Sequence, residues 1–398
     1  MVRLPAGSVT ASTPTTAATR YARRMLVTVS LGWALLQTGR YLLSPLLPTI
    51  IADLGINEAT AGIALAVFQG SYALVQYPSG EYSDRWNRTT LIVPGLLILA
   101  VGFTLFGLTT GLAMFLVAAT VTGIGKGLFS IPSRALLSDL FTKNRGRALG
   151  IYAAGTDLGG LVASGVAVLA LTYATWRTPF FPVAIALALL TLVYASMTRE
   201  SYDVGSSSLE LRSTVGRLVQ SAQQRETILA FSLFYFMVGG FVNFAPAYLT
   251  QAKGFSDSLA GLTFAILFAV GFAVKPTAGT LGDRFSRRGI AVSGLLVAAI
   301  SLVALVVVSS NLAIWIAIAV LALGYKTGFP LADAIILDGA PSGGMGADLG
   351  AARAIFLSAN ALGPAYVGIV ATYGSYDVAF AGFVVCLVVA AALLFRAD

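Results

Sequence analysis

Long apolar stretches alternate with short polar segments along almost the whole chain. Twelve of the stretches are long enough to cross a bilayer, which takes about 20 apolar residues. They begin near Met25, Thr60, Leu91, Leu112, Arg147, Thr178, Glu226, Ser258, Gly289, Leu312, Ala347 and Asp377. The pattern predicts an all-α polytopic membrane protein with twelve transmembrane helices.

One polar interruption is longer than the others and separates six predicted spans from six. It divides the chain into a disordered cytoplasmic tail (1–24), an N-terminal six-helix half (25–198), a cytoplasmic linker (199–225) and a C-terminal six-helix half (226–398). Residues 1–24 have no apolar core, so we do not expect a signal peptide.

Composition agrees with a membrane protein and argues against an enzyme. Hydrophobic residues make up 57% of the chain and charged residues 11%, against roughly 45–50% and about 25% in soluble proteins. There is no histidine, and the single cysteine, Cys386, lies in the last predicted span. We therefore expect no metal, cofactor or intramolecular disulfide. The sequence also lacks a phosphate loop and a nucleophile–base set.

The net charge of +8 is explained by topology rather than by a nucleic-acid partner. Basic residues of the predicted loops fall on one side of the membrane, and only Arg177 and Lys253 fall on the other. Cytoplasmic loops carry such an excess of Lys and Arg. We expect a multi-pass protein of the plasma membrane, a monomer in the lipid bilayer, with both termini in the cytoplasm.

A short basic string occurs twice, about half the chain apart: Gly80-Glu81-Tyr82-Ser83-Asp84-Arg85-Trp86-Asn87-Arg88 and Gly279-Thr280-Leu281-Gly282-Asp283-Arg284-Phe285-Ser286-Arg287-Arg288. Such a long internal repeat indicates two related bundles. Together with the twelve spans and the central loop, the strings resemble the major facilitator superfamily, although Asn87 and Ser286 replace a glycine of the family pattern. The resemblance implies two pseudo-symmetric six-helix bundles that transport a solute by alternating access.

The repeated loops predict a conformational latch on the cytoplasmic side. Spans 4 and 10 end with Asp139 and Asp338, and each carboxylate is expected to pair with an arginine of the nearby loop. The alternative is a static surface pair worth about 0–1 kcal/mol. The predicted latch residues are Asp84, Arg85, Arg88 and Asp139 in the first half and Asp283, Arg284, Arg288 and Asp338 in the second.

Charged residues deep within the spans predict where a substrate binds. A cation that faces lipid at a helix centre costs about 2.5–3.5 kcal/mol, so Arg40, Lys126 and Lys326 are expected to face a wet interior. Lys126 and Lys326 occupy matching places in spans 4 and 10, one from each half. Three cations nearer the cytoplasmic ends are expected to snorkel: Arg134, Lys275 and Arg353.

The few acidic residues within the spans predict ion pairs. Asp157 is expected to neutralise Lys126 or, alternatively, to carry a coupling proton. Asp333 is expected to pair with Arg134 or Lys326. Two uncharged candidates for substrate contact are Asn243 and Tyr325, although such residues more often serve packing.

The string around Arg40, Gly39-Arg40-Tyr41-Leu42-Leu43-Ser44-Pro45, is similar to the first span of organic-anion transporters of the anion:cation symporter type. The guanidinium suits a carboxylate or phosphate. The resemblance implies transport of a small organic anion, coupled to a proton or to an exchanged anion. A drug or hydrophobic-solute exporter, or a sugar transporter, of the same fold is the alternative.

Overall fold

A computed structural model describes residues 16–142, 145–199, 216, 222–338 and 345–396. These residues form twelve α-helices, which we number in chain order. Their bounds are α1 Thr16–Leu54, α2 Glu58–Arg85, α3 Arg88–Gly107, α4 Leu112–Leu140, α5 Arg145–Tyr173, α6 Phe180–Met197, α7 Ala222–Gln251, α8 Asp257–Arg284, α9 Arg287–Val307, α10 Asn311–Asp338, α11 Met345–Tyr373 and α12 Tyr376–Arg396.

The predicted all-α fold is confirmed. Eleven of the described helices are both long enough and apolar enough to cross a membrane. Helix α1 is long enough, but its most apolar stretch is less apolar than those of the other eleven, because it carries Gln37, Thr38, Arg40 and Ser44. All four side chains are buried inside the protein. A polar helix face of this kind has to contact other helices rather than lipid.

Two predicted boundaries differ from the structure. Helix α1 already begins at Thr16, so the assignment of residues 16–24 to a disordered tail is wrong. This segment contains good helix formers, and its Ala22 and the following Met25 are buried. Helix α7 begins at Ala222, within the predicted linker. The rest of that linker, except for Arg199 and Gly216, and residues 1–15 lie outside the described residues.

The two halves repeat the same packing. In the first half α1 packs against α5, and α4 packs against α2 and α3. The equivalent contacts in the second half join α7 to α11, and α10 to α8 and α9. The contact of α3 with α6 likewise matches that of α9 with α12. This repetition confirms two pseudo-symmetric bundles.

Arg177 and Lys253, the two loop cations on the side opposite the other basic loop residues, have equivalent structural roles. Arg177 Nε donates to the carbonyl oxygen of Thr109 at 2.6 Å, just past the end of α3. Lys253 Nζ donates to the carbonyl oxygens of Val306 and Val308, at 2.7 and 2.9 Å, at the end of α9. Both cations thus satisfy carbonyl groups at helix C-termini. Burial of the ammonium lowers the pKa of Lys253.

The halves meet through α2 with α11, α5 with α8 and α1 with α7. We call the end of the bundle that bears the arginine-rich loops the basic end, and the other the far end. At the far end Ala59 N–H donates to Thr372 Oγ1 at 2.9 Å, and Gly62 packs directly on the backbone of Pro364. Because a side chain at Gly62 would collide with that carbonyl oxygen, the glycine permits the close approach of α2 and α11.

Candidate functional site

Helix α1 presents a polar face to the interior. Gln37, Arg40 and Ser44 are spaced by three and four residues, so they lie on one side of the helix. All three are buried, and Arg40 is 8% exposed. Arg40 Nε, Gln37 Oε1 and Ser44 Oγ have no hydrogen-bond partner among the described residues. Buried polar atoms are normally paired, so this face has unused binding capacity.

Among the described residues, Arg40 contacts the ring of Tyr41 and forms no ion pair with a carboxylate. Its Cζ atom lies 4.4 Å from the centre of the Tyr41 ring, and the Tyr41 ring centre lies 4.5 Å from that of Phe268 on α8. Guanidinium groups are attracted to ring faces, but such a contact is worth only about 0.5–2 kcal/mol. The positive charge of Arg40 is therefore solvated incompletely.

Lys126 is also buried without an acidic partner in the described part of the chain. It is 4% exposed, and its Nζ lies 3.9 Å from the centre of the Tyr72 ring. Among the described residues, Lys126 Nζ donates to Gln69 Oε1, at 3.4 Å. The neighbouring glycines of α4 pack tightly on α2 and α3, as when Gly125 lies against Leu99 of α3. That close packing places a lysine deep inside the bundle.

Gln69 and Asn360 connect Lys126 to the other half and were not predicted. Gln69 Nε2 donates to Asn360 Oδ1 at 2.6 Å, and Asn360 Nδ2 donates to the carbonyl oxygen of Tyr235 at 2.8 Å. The hydrogen bonds thus run from α4 through α2 and α11 to α7. Asn243 was predicted because a single amide side chain stands within an apolar stretch. Gln69 and Asn360 show the same pattern, so the sequence alone could have indicated them.

The equivalent lysine of the second half has a carboxylate partner. Lys326 Nζ donates to Asp157 Oδ1 at 2.9 Å, and Lys275 Nζ donates to Asp157 Oδ2 at 2.6 Å. The prediction that Asp157 pairs with Lys126 is therefore wrong, as is the expectation that Lys275 merely snorkels. Helix α8 approaches α5 closely at Gly271, where an added Cβ would lie 2.8 Å from Asp157 Oδ1. This approach brings Lys275, one turn later, to Asp157.

The other predicted candidates differ in their surroundings. Tyr325 is buried, and Lys326 Nζ lies 5.3 Å from the centre of its ring. The same nitrogen lies 4.7 Å from the centre of the Phe268 ring, which contacts Tyr41 beside Arg40. These contacts bring Tyr325, Lys326 and Arg40 into one region between the halves. Asn243 Nδ2 donates to the carbonyl oxygen of Gly239 within α7 at 2.7 Å, so this N–H group serves its own helix.

Two further cations have structural partners. Arg353 of α11 pairs with Asp333 of α10, with Nε 3.0 Å from Oδ1, so the predicted pairing of Asp333 with Arg134 or Lys326 is wrong. The Cζ atom of Arg134 lies 5.4 Å from the Trp33 ring centre and 5.7 Å from that of Tyr152. Both arginines thus stabilise packing near the basic end.

The loop ion pairs occupy equivalent places in the two halves. Arg88 Nε lies 3.3 Å from Asp139 Oδ2, and an Arg287 nitrogen lies 2.6 Å from Asp338 Oδ1. Arg287 was not among the predicted residues. These pairs join α3 to α4 and α9 to α10, so they hold helices within one half. Arg284 is exposed, and the side chains of Asp84, Arg85 and Asp283 lie outside the described residues.

A bundle of long helices in two repeated halves, with buried charged residues between the halves, is typical of secondary transporters. The sequence profile of the Major Facilitator Superfamily matches residues 29–276 and 227–398. The chain belongs to this family.

Several curated relatives resemble part of the chain. It is 28% identical over 273 residues to a probable 4-methylmuconolactone transporter of Cupriavidus pinatubonensis, covering 65% of this chain and 62% of that protein. It is 26% identical to a probable sulfoacetate transporter of Cupriavidus necator, over 61% of this chain and 60% of that one. Multidrug resistance protein 1 of Bacillus subtilis is also 26% identical, over 62% and 63%. The matches span about three fifths of these relatives, which are transporters and not enzymes.

Solved structures show the same fold. A bacterial homolog of the human lysosomal transporter Spinster, crystallised in an inward-facing and occupied conformation, superposes with a TM-score of 0.81. The two sequences are 20% identical, and the match covers 95% of this chain and 97% of that one.

Proposed function

We propose that the protein carries a small organic anion, such as a mono- or dicarboxylate, across the membrane by alternating access. The observation that carries the proposal is the pair Arg40 and Lys126. Both are buried cations without a carboxylate partner among the described residues. An unpaired buried charge is costly, and a bound anion would supply the missing partner.

The sign of the central charge distinguishes an anion from a lipophilic cation. The site holds four basic side chains, Arg40, Lys126, Lys275 and Lys326, and one acidic side chain, Asp157. Some relatives are named for the transport of anionic solutes, among them the sulfoacetate protein and a probable hexose phosphate transport protein of Chlamydia muridarum. These names support the proposal, whereas the multidrug relatives support the alternative.

The position of the site suits a transporter with two rocking halves. Arg40 and Lys126 belong to the first half, while Tyr325 and Lys326 belong to the second. The Tyr41–Phe268 contact and the Gln69–Asn360 hydrogen bond connect the residues beside Arg40 and Lys126 to the second half. Binding of an anion to Arg40 and Lys126 would therefore affect the packing of both halves.

The coupling mechanism that the geometry favours is anion exchange. Two ammonium groups donate to the two oxygens of Asp157, and opposite charges at this distance favour the ionised carboxylate. A proton carrier has to gain and lose its proton during each cycle. We therefore assign Asp157 the role of a fixed counter-ion, with proton symport as the alternative.

We also infer that the basic end faces the cytoplasm of a cell whose plasma membrane holds the protein. The distribution of arginines and lysines supports this orientation. Both termini would then be cytoplasmic, and the working unit would be a monomer.

Counterflow in proteoliposomes tests the function. Labelled carboxylates, phosphate, a neutral sugar and a lipophilic cation are compared in wild type, in Arg40→Ala and in Arg147→Ala, a control that removes an exposed arginine of α5. We expect carboxylate uptake in wild type and in the control but not in Arg40→Ala. A protonophore should leave uptake unchanged if the protein is an exchanger.

Uptake confined to the lipophilic cation or the sugar would overturn the proposal. One observation favours an exporter as second candidate: aromatic rings of α7, α10 and α11 cluster beside the central site. The Tyr235 ring centre lies 5.6 Å from that of Phe329 and 5.3 Å from that of Phe356. An exporter should also retain its transport in Arg40→Ala.

A further inference from the structure

A cavity of about 320 Å³ lies at the basic end, between the first turns of α1 and the end of α6. It is separate from the central site, because Arg24 and Arg40 are roughly 24 Å apart along the axis of α1. The cavity is lined by Arg20, Tyr21, Arg24, Ser196, Met197 and Arg199.

Three guanidinium groups surround this cavity. Arg20 and Arg24 are four residues apart on α1 and therefore share one helix face, and Arg199 follows the last turn of α6. None of the three forms an ion pair with a carboxylate in the described part of the chain. Neighbouring like charges repel one another, so an anion in the cavity would be stabilised by all three.

Local contacts hold one of these arginines in place. The Cζ atom of Arg199 lies 4.8 Å from the centre of the Tyr21 ring, and its backbone N–H donates to Tyr21 Oη at 3.4 Å. The guanidinium is thus positioned before any ligand binds. Tyr21 and Met197 form an apolar wall on the same cavity.

The cavity also lies at the boundary between polar and apolar sequence. The apolar run of α1 begins at Met25, directly after Arg24, and the apolar run of α6 ends at Met197. Basic pockets between helices at such a boundary suit the headgroups of anionic lipids. Guanidinium groups suit phosphate because they donate two parallel hydrogen bonds to its oxygens.

We infer that this cavity binds the phosphate group of an anionic phospholipid, with the arginines on the phosphate and the Tyr21–Met197 wall beside the glycerol and upper acyl chains. A soluble phosphate ester shares only the phosphate group with such a lipid. We favour the lipid because the Tyr21–Met197 wall offers an apolar surface for its glycerol and acyl chains.

Native mass spectrometry of the full-length protein in detergent tests the inference. Binding of phosphatidylglycerol and phosphatidylcholine is measured in wild type and in two triple variants with equal loss of charge. The pocket variant is Arg20→Gln, Arg24→Gln and Arg199→Gln, and the control is Arg23→Gln, Arg147→Gln and Arg396→Gln, three exposed arginines outside the cavity. We expect bound phosphatidylglycerol to fall at least fivefold in the pocket variant and less than twofold in the control.

Competition with glycerol 3-phosphate separates the two sources of phosphate. Displacement of phosphatidylglycerol only at concentrations far above those of the lipid would support a lipid site. If wild type binds glycerol 3-phosphate but not phosphatidylglycerol, and the pocket variant binds neither, the cavity is a phosphate site whose ligand is soluble and not a lipid. Equal losses in both triple variants, or no preference of wild type for either phosphate compound over phosphatidylcholine, would overturn the inference. If the pocket variant does not fold, the single change Arg24→Gln should lower binding at least twofold.

Discussion

Lys126 and Lys326 stand at equivalent places in the two halves but have opposite surroundings. Lys326 shares the Asp157 carboxylate with Lys275, whereas Lys126 contacts ring faces and one amide oxygen. The cost of burying a cation is thus met by an ion pair in one half and left partly unmet in the other. A repeated sequence therefore does not imply repeated roles: we propose a structural role for the Lys326 side and anion binding for the Lys126 side.

The largest effect that this comparison predicts is loss of stability in Asp157→Asn. Two buried or half-buried ammonium groups would lose their counter-ion, and removal of one partner from a buried pair costs about 3–5 kcal/mol. We expect a clear fall in the melting temperature of the purified protein.

The double variant Asp157→Asn, Lys326→Gln provides the control. It removes the buried lysine together with the carboxylate, so it should recover more than half of the lost stability. A single variant as stable as wild type would contradict the counter-ion role of Asp157.

The second prediction concerns Lys126→Gln, which should weaken anion binding without loss of stability. Hydrogen bonds to charged groups contribute about 1.5–3 kcal/mol, which corresponds to roughly a 10- to 100-fold increase in the dissociation constant. Binding of the best carboxylate found by counterflow, measured by calorimetry, checks this expectation.

The matched variant is Lys326→Gln. Lys275 still neutralises Asp157 in that variant, so anion binding should weaken by less than in Lys126→Gln. A larger loss in Lys326→Gln would reverse the assignment of the two lysines.

Much of the fold could be predicted from the sequence, but the ion pairs within the membrane spans could not. Twelve apolar stretches predicted the helices, and the depth of Lys126 and Lys326 predicted their burial. The partner of Asp157 depended on which helix packs against α5, and apolar periodicity cannot show this because lipid and neighbouring helices are equally apolar. Gly271, which allows α8 to approach Asp157, is recognisable only in the structure.

The third prediction addresses the hydrogen bonds that connect Lys126 to the second half. Gln69→Leu removes the hydrogen bond to Asn360, which joins the halves beside Lys126. The Asn360 side chain is buried, and an unsatisfied buried group costs about 1–3 kcal/mol. A double-mutant cycle with Asn360→Leu, measured by thermal unfolding, should give a clear coupling energy. Strictly additive effects would argue against a functional connection.

The smallest effects are expected at the loop ion pairs, where the two halves are alike. The Asp139 and Asp338 side chains are 57% and 58% exposed, and exposed pairs contribute about 0–1 kcal/mol. Asp139→Asn and Asp338→Asn should therefore change the melting temperature little, and by similar amounts. Each pair joins two helices of the same half, so we expect it to affect transport only by positioning a loop. The transport rate of each variant should therefore fall by less than about threefold. A much larger fall in uptake rate, with unchanged anion affinity, would show that the loops act as a latch after all.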